Sequence, residues 1–218
     1  MKISIDPHPL LDTVLLHSRW PTNLGEVSTL DSLDKWFSSG ASSPLSPQDD
    51  IKLKVRNLLR YGGFKPSGRS KPASEYLIGA VEKGRMGSIN PAVDCCNVAS
   101  LHSGLPISVV DIERGQGPWR IGLAEKGVDY VFNPAGQVID IGCLVVLFDH
   151  HGPCGGPVKD SQRTKTHPET RETISIIWGT VDLPSRSQET AAWYRELLTQ
   201  CGATVTEVRP TGPTDHHA

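Results

Sequence analysis

Residues 90–111, NPAVDCCNVASLHSGLPISVVD, join the pattern of a helix to that of a buried strand. The apolar residues of the first half can cover one face of a helix: Val93, Cys96, Val98, Ala99 and Leu101. Gly104 is placed to end this helix in a left-handed cap, and Pro106 cannot continue it. The run from Ile107 to Val110 predicts a strand. Small polar residues therefore surround a helix–turn–strand junction, which is the layout of a site.

The rest of the chain mixes helices and strands without regular alternation. We expect helices at 30–37, 47–61, 73–83 and 188–201, and strands at 2–5, 13–17, 119–124, 129–132, 138–149, 173–179 and 204–208. A doubly wound parallel sheet requires strands and helices to alternate. The predicted fold class is therefore α+β with a strand-rich body.

Bulk composition is typical of a water-soluble globular chain. The chain has 218 residues, 37% of them hydrophobic, and we expect one domain over residues 1–218. The first residues do not have the pattern of a secretory leader, and no apolar run approaches the length of a membrane span. Five cysteines, an odd number, favour reduced thiols. We therefore expect a cytoplasmic protein that does not contact a membrane.

Two segments have too little apolar content to pack. Residues 38–48, rich in Ser and Pro, are expected to form a flexible linker or flap, and residues 211–218 a disordered tail. Ser46 is placed to cap the helix that follows, with Pro47 in its first turn.

A cluster of basic residues precedes the central stretch. It comprises Lys52, Lys54, Arg56, Arg60, Lys65, Arg69 and Lys71, and is opposed mainly by Asp49 and Asp50. A formal net charge of -2 argues against non-specific coating of nucleic acid, so any RNA contact must be local. This cluster is the candidate for such a contact, or else it is a solvated helix face followed by an ordinary loop.

Residues 149–166, DHHGPCGGPVKDSQRTKT, concentrate reactive side chains after an apolar strand. Zinc ligation by Asp149, His150, His151 and Cys154 lacks the usual paired spacing, so no metal or other cofactor is predicted. A Cys154 nucleophile activated by His151 is a further alternative. Otherwise these residues form a flexible loop that borders a pocket.

The central stretch resembles the B3/B4 editing domain of the phenylalanyl-tRNA synthetase beta subunit. The family motif V-D-x-T-N, with a G-x-P-x-x-x-x-D that begins seven positions after the Asn, is matched at Val93, Asp94, Asn97, Gly104, Pro106 and Asp111. Residues 56–77 are similar to the corresponding segment of free-standing members of this family. The resemblance covers about residues 50–180 and implies a layered B3/B4-type fold, with a mostly antiparallel β-sandwich core flanked by helices.

The resemblance implies a free-standing tRNA-editing protein, a hydrolase that deacylates mischarged aminoacyl-tRNA in trans. Its partner would be the aminoacylated 3′ end of tRNA, in translation quality control. Two other functions remain open. One is a non-catalytic module that binds tRNA or amino acids, and the other is a small-molecule esterase or amidase that uses Cys154 or Ser108.

Three positions depart from the synthetase pocket for tyrosine. Cys96 stands in place of the family's Thr, Ser108 in place of its His, and Ile176 or Ile177 in place of its Glu. A site that recognises a hydroxyl depends on such hydrogen-bond partners. We therefore expect a smaller or less polar aminoacyl group, either aliphatic or hydroxylated, rather than tyrosine.

The resemblance also implies roles for individual residues. Asn97 and Ser108 are the candidate catalytic residues. The candidates for substrate binding are Asp94, Cys96, Asp111, Cys154, Thr164 and Thr170. The candidates for tRNA binding are Arg60, Lys65, Arg69, Lys71 and Lys159. Asp94 could equally be a carboxylate at a helix N-terminus, and Ser108 a turn hydroxyl bonded to its own backbone.

Overall fold

The computed structural model describes residues 1–29, 31–38, 41–45 and 50–212, without the side chains of residues 31 and 32. Its α-helices are α1 (Ile51–Arg60), α2 (Ala73–Val81), α3 (Pro91–Ser103) and α4 (Arg186–Gln200). Its strands are β1 (Ile3–Ile5), β2 (Leu11–Arg19), β3 (Ile107–Asp111), β4 (Trp119–Leu123), β5 (Asp129–Val131), β6 (Val138–Asp140), β7 (Val145–Asp149), β8 (Gly152–Gly155), β9 (Glu172–Thr180) and β10 (Thr204–Glu207). No helix in these ranges is both long enough and apolar enough for a membrane crossing.

Two four-stranded sheets face each other. Their strand orders are β1-β4-β7-β8 and β10-β2-β9-β3, while β5 and β6 form a separate ribbon. Strand β1 pairs with β4 in parallel, and the other strand pairs are antiparallel. The mixed α+β class and the predominantly antiparallel sandwich are confirmed.

Strand β9 divides the interior into two layers. Ile174, Ile176 and Trp178 point into the core between the two sheets, while Ile177 points to the helices. On the helix side, the Ser175 hydroxyl hydrogen-bonds the hydroxyl of Tyr194 on α4 at 2.9 Å. Successive side chains of a strand point to opposite faces, so this nine-residue strand supports the sandwich core and the helical layer together.

Helix α3 and strand β3 confirm the predicted helix–turn–strand unit. The Asn90 side chain caps the helix by accepting from the backbone N–H of Val93 at 3.1 Å, and Gly104 ends it at φ 74°. The helix is buried on nearly all sides, and only Val93 and Asn97 remain partly exposed. One apolar face was expected, but the helix lies inside the protein.

The strand predicted at 138–149 is wrong, because two strands separated by a turn occupy this range. The Asp140 carboxylate accepts from the backbone N–H of Gly142 at 2.8 Å, and Cys143 takes a positive φ of 66°. The expected loop at 149–166 is also partly regular, since it contains β8 and a 3₁₀ turn, Gln162–Thr164.

The structure differs from three further expectations, for residues 38–48, 30–37 and 211–218. Leu45 is buried in the core, so the stretch 38–48 does contribute packing, while residues 39, 40 and 46–49, including the predicted cap at Ser46, lie outside the described residues. The helix expected at 30–37 is a 3₁₀ helix, Asp31–Trp36. Thr211 was placed in the disordered tail, but its N–H donates to Ile3 O at 2.8 Å, and residues 213–218 are outside the description.

The cap at the end of α3 leads to a stability prediction. We expect Gly104→Ala to lower the free energy of unfolding by about 2–4 kcal/mol, because the positive φ strains a side chain and the new Cβ would overpack Ile51. The ideal Cβ position is 2.8 Å from Ile51 Cγ2. Urea denaturation measures the change.

Gly136→Ala is the matched control. Gly136 has nearly the same φ, 73°, but nothing lies within 4 Å of its ideal Cβ. It should therefore lose only the backbone contribution, about 1–2 kcal/mol. Equal losses in the two variants would contradict the close packing of Gly104 against α1.

Candidate functional site

An open cleft of about 210 Å³ lies between α2, α3, the start of β3 and the loop after β8. It is lined by Ala73, Tyr76, Leu77, Cys96, Asn97, Ser100, Ile107, Val158 and Lys159. Cys96, Asn97 and Lys159, which the sequence analysis selected, therefore meet in one place. They come from segments up to 63 residues apart, which only the tertiary fold brings together.

Most polar groups of the cleft are already used within the protein. The Cys96 thiol donates to Ile107 O at 3.5 Å, and the Ser100 hydroxyl donates to Leu105 O at 2.7 Å. Burial, together with the nearby carboxylate of Asp160, raises the pKa of Cys96, so its thiol stays protonated. The side-chain amide of Asn97 has no hydrogen-bond partner among the described residues. It is therefore free to meet a ligand.

A carboxylate fixes the loop that carries Lys159. Asp160 accepts from the backbone N–H of Gly156 at 3.0 Å and from that of Val109, on β3, at 3.3 Å. Burial raises the pKa of Asp160, although these hydrogen bonds lower it part of the way. The hydroxyl of Tyr130 donates to the carbonyl of Lys159. The backbone at Lys159 is thus held from two sides.

Cations and aromatic rings gather at one end of the cleft. We call this set the basic corner: Arg69, Lys71, Tyr76, Phe132, Lys159 and Lys165. The Lys159 ammonium lies 4.0 Å from the ring centre of Phe132 and 5.1 Å from that of Tyr76. Lys71 Nζ lies 4.7 Å from the ring of Tyr76. Burial, together with repulsion from Arg69 and Lys165, lowers the pKa of Lys159.

Lys165 completes the corner at Phe132, directly after strand β5. Its ammonium donates to Phe132 O at 2.6 Å. Burial lowers the pKa of Lys165, and the carboxylate of Asp160 partly offsets this effect. Concentrated positive charge beside partly exposed rings suits phosphate and nucleobase groups.

The first half of the predicted basic cluster is neutralised by acids. Arg56 Nε and Nη2 each lie 2.7 Å from the carboxylate of Glu75, and Lys52 Nζ lies 3.6 Å from it. Lys54 pairs with Asp50 at 2.5 Å. The sequence analysis counted Asp50 but not Glu75. Glu75 is on α2 and reaches Arg56 and Lys52 on α1 only in the folded protein. These three cations are therefore not free for RNA.

The predicted tRNA-binding residues divide into two groups. Arg69, Lys71 and Lys159 meet in the basic corner. Arg60 donates to Asn57 Oδ1 at 3.0 Å, and both Arg60 and Lys65 are exposed. Neither of these two residues is among the described residues that line the cleft.

Ser108 does not share the cleft with Asn97, contrary to expectation. Its neighbour Ile107 lines the cleft, and alternate residues of a strand point to opposite faces, so Ser108 points into the sandwich. It is fully buried, its hydroxyl donates to Gly156 O at 3.2 Å, and it accepts from Trp178 Nε1 at 2.9 Å. Ser108 is closed to solvent and its hydroxyl is hydrogen-bonded inside the protein, which argues against the predicted catalytic role.

Asp94 binds protein groups where the sequence analysis predicted substrate. Its Oδ2 accepts from the hydroxyls of Ser88 at 2.6 Å and Thr29 at 2.9 Å, and its Oδ1 accepts from Ile89 N–H at 2.9 Å. The side chain is fully buried. Asp94 therefore ties the start of α3 to two neighbouring loops.

Asp111 and Thr170 form a similar structural link. Asp111 Oδ2 accepts from Thr170 Oγ1 at 2.5 Å and lies 3.2 Å from His167 Nε2. Thr164 Oγ1 donates to Cys154 O at 3.0 Å. Asp111, Thr164, Thr170 and Cys154 are fully buried, which argues against their predicted contact with substrate.

Cys154 is inaccessible as a nucleophile. Its thiol lies in the core between the sheets, donates to Leu147 O at 3.5 Å, and has a raised pKa because of burial and the nearby Asp149 carboxylate. Asp149 is held by two hydrogen bonds from Arg163, at 2.7 and 2.8 Å. His151 is exposed. In the described part of the chain, no three His, Cys, Asp or Glu side chains are grouped to hold a metal.

Sequence reasoning missed three members of the basic corner: Tyr76, Phe132 and Lys165. One signal was available for Tyr76, because it lies at the start of the helix that follows the basic loop, five residues after Lys71. Phe132 and Lys165 are 33 residues apart and meet only through the position of the β5–β6 ribbon. No local pattern indicates that contact.

Comparisons with known proteins identify the family and a similar fold. A family model described as the B3/4 domain matches residues 61–182, which include the cleft and the basic corner. The chain is similar in structure to an N-terminal fragment of the phenylalanyl-tRNA synthetase beta subunit from Pyrococcus horikoshii, with a TM-score of 0.50 and 11% identity. That match covers 97% of this chain and 52% of the fragment, so the chain spans about half its length. Among curated proteins, none matches the chain.

The burial of the thiols leads to a labelling prediction. Cys143 is half-buried, whereas Cys96 and Cys154 are buried. We expect a maleimide to label Cys143 of the native protein at least about tenfold faster than Cys96 or Cys154, because the buried thiols react only after local opening. Peptide mapping by mass spectrometry measures the rates. Labelling of Cys154 as fast as Cys143 would contradict its placement in the core.

Proposed function

The chain belongs to the B3/4 domain family, and from this premise we propose that it is a free-standing tRNA-editing protein that hydrolyses mischarged aminoacyl-tRNA in trans. One observation carries the proposal: Asn97, whose amide is unpaired among the described residues, and Lys159 line one cleft whose other walls are mainly apolar. The basic corner adjoins that cleft. An aminoacyl group and the phosphates of an RNA end therefore have complementary surfaces side by side.

The chemistry requires little of the protein. Hydrolysis joins a water oxygen to the carbonyl carbon, breaks the bond to the ribose oxygen, and transfers a proton from water to that oxygen. The Asn97 amide oxygen can orient the water, and the amide N–H can donate to the carbonyl oxygen as it becomes negative. A single such donor can contribute about 3–4 kcal/mol to the transition state.

The walls of the cleft favour an aliphatic aminoacyl group. Leu77, Ile107 and Val158 supply apolar surface, while the hydrogens of Cys96 and Ser100 are bonded to backbone carbonyls. Neither side chain has a free hydrogen to donate to a substrate hydroxyl, although the Ser100 oxygen can still accept one hydrogen bond. The mainly apolar walls therefore favour the aliphatic over the hydroxylated alternative, which the sequence alone left open.

A second candidate function is a non-catalytic module that binds the same ligand. It is favoured by the lining of the cleft, which contains no carboxylate or imidazole among the described residues that could act as a general base. The esterase alternative is weaker, because Cys154 and Ser108 are both buried and hydrogen-bonded internally.

Release of amino acid from a panel of correctly and wrongly charged tRNAs tests the proposal. We expect hydrolysis to be fastest for a wrongly attached aliphatic amino acid. Asn97→Ala should lower the rate constant about 100-fold, because it removes the group that orients water and stabilises the oxyanion. Single-turnover kinetics measure the change.

Asn57→Ala is the matched control, because Asn57 is exposed on α1 and its side chain, among the described residues, bonds only Arg60. It should hydrolyse at the wild-type rate. Measurable tRNA binding with no release from any charged tRNA would favour the binding module. An equal loss in both variants would refute the role of Asn97.

A further inference from the structure

We propose that the basic corner binds a nucleoside monophosphate unit, with its base stacked on Tyr76 or Phe132 and its phosphate on the surrounding lysines. The assignment to the end of an RNA strand rests on the proposed function. The inference that a nucleotide binds does not rest on the proposed function, because it follows from the cations and aromatic rings of the corner.

The rings and cations of the corner are arranged around one side chain. Lys159 lies close to the rings of both Tyr76 and Phe132, so the two rings border one slot that its ammonium now occupies. Both rings are partly exposed. Lys71 approaches Tyr76 as well. Because both rings are partly exposed and their recorded cation–π partners are lysine ammonium groups, a flat base could replace these groups on the ring faces.

A bound phosphate would replace the cation–π contacts of the lysines with stronger interactions. A lysine forms charge-assisted hydrogen bonds to phosphate, which exceed an exposed cation–π contact. Moving Lys159 from the rings to a phosphate would uncover the faces on which a base can stack. Phosphate and base therefore assist each other's binding, and each alone should bind more weakly than the two joined.

The electrostatics of the corner favour an anion over other ligands. Arg69 and Lys165 both lower the pKa of Lys159, which indicates that like charges are crowded together. Asp160 interacts with Lys165, but its carboxylate is already bonded to backbone N–H groups. Bound phosphate would relieve the repulsion among these cations.

Titration calorimetry at low salt with AMP, adenosine and inorganic phosphate tests this site. We expect AMP to bind at least about tenfold more tightly than either fragment. Tyr76→Leu should weaken AMP binding about tenfold while changing phosphate binding by less than about threefold. Tyr76→Phe keeps the ring and should bind AMP more tightly than Tyr76→Leu.

Tyr61→Leu is the matched control, since Tyr61 is an exposed tyrosine that packs on His8 outside the corner. It should bind AMP as the wild type does, and thermal melting confirms that each variant is folded. Equal affinity for AMP and phosphate, or wild-type AMP binding by Tyr76→Leu, would overturn the proposal.

The trinucleotide CpCpA separates the two sources of the nucleotide. Binding of CpCpA at least as tightly as AMP supports an RNA 3′ end, whereas AMP binding without CpCpA binding assigns the site to a free nucleotide. Nucleotide binding without deacylation would refute only the proposed function. Deacylation without nucleotide binding would refute only the present inference.

Discussion

The burial of helix α3 is the constraint on which the other features depend. A polar group that is removed from water without a hydrogen bond costs about 1–3 kcal/mol, so a helix inside the protein must find a partner for each such group. Asp94 takes three donors from two loops, Ser100 donates to Leu105 O, and His102 Nε2 bonds Trp36 O at 2.8 Å. These bonds fix the loops, the turn after the helix and the neighbouring 3₁₀ helix around α3.

The same constraint explains where the site is. A buried polar side chain whose hydrogen bonds are made within the protein is not available to a ligand, even when it belongs to a family motif. Asn97 does not need a hydrogen-bond partner inside the protein, because it lies where α3 reaches the surface. Its amide is unpaired in the described structure. The loop fixed by Asp160 brings Lys159 to the same edge. Both placements put the candidate site where a buried helix reaches the surface.

Local sequence signals predicted the elements better than the contacts between them. The helix and strand of residues 90–111 could be predicted because the Gly104 cap and Pro106 act within the segment itself. The partners of Asp94 and Asp111 could not, because Thr29 and Thr170 lie 65 and 59 residues away along the chain. Each motif carboxylate therefore appeared available for substrate until its remote partner was known.

The direction in which a strand side chain points was a second feature that could not be predicted from the sequence. Ile107 and Ser108 are adjacent in sequence, yet one lines the cleft and the other points between the sheets. Both faces of β3 are buried, so its continuous burial gives no alternation from which to infer which side meets the cleft. Only the packing of α3 and of the second sheet decides it.

The most direct measurement is an NMR titration of the ¹⁵N-labelled protein with a non-hydrolysable 3′-aminoacylamino-adenosine that carries leucine. The side-chain NH₂ signal of Asn97 and the backbone signal of Lys159 should shift with ligand, while the backbone signals of Asp94 and Asp111 should stay in place. Shifts at Asp94 and Asp111 with the Asn97 amide unchanged would contradict the placement of the site at the edge of α3.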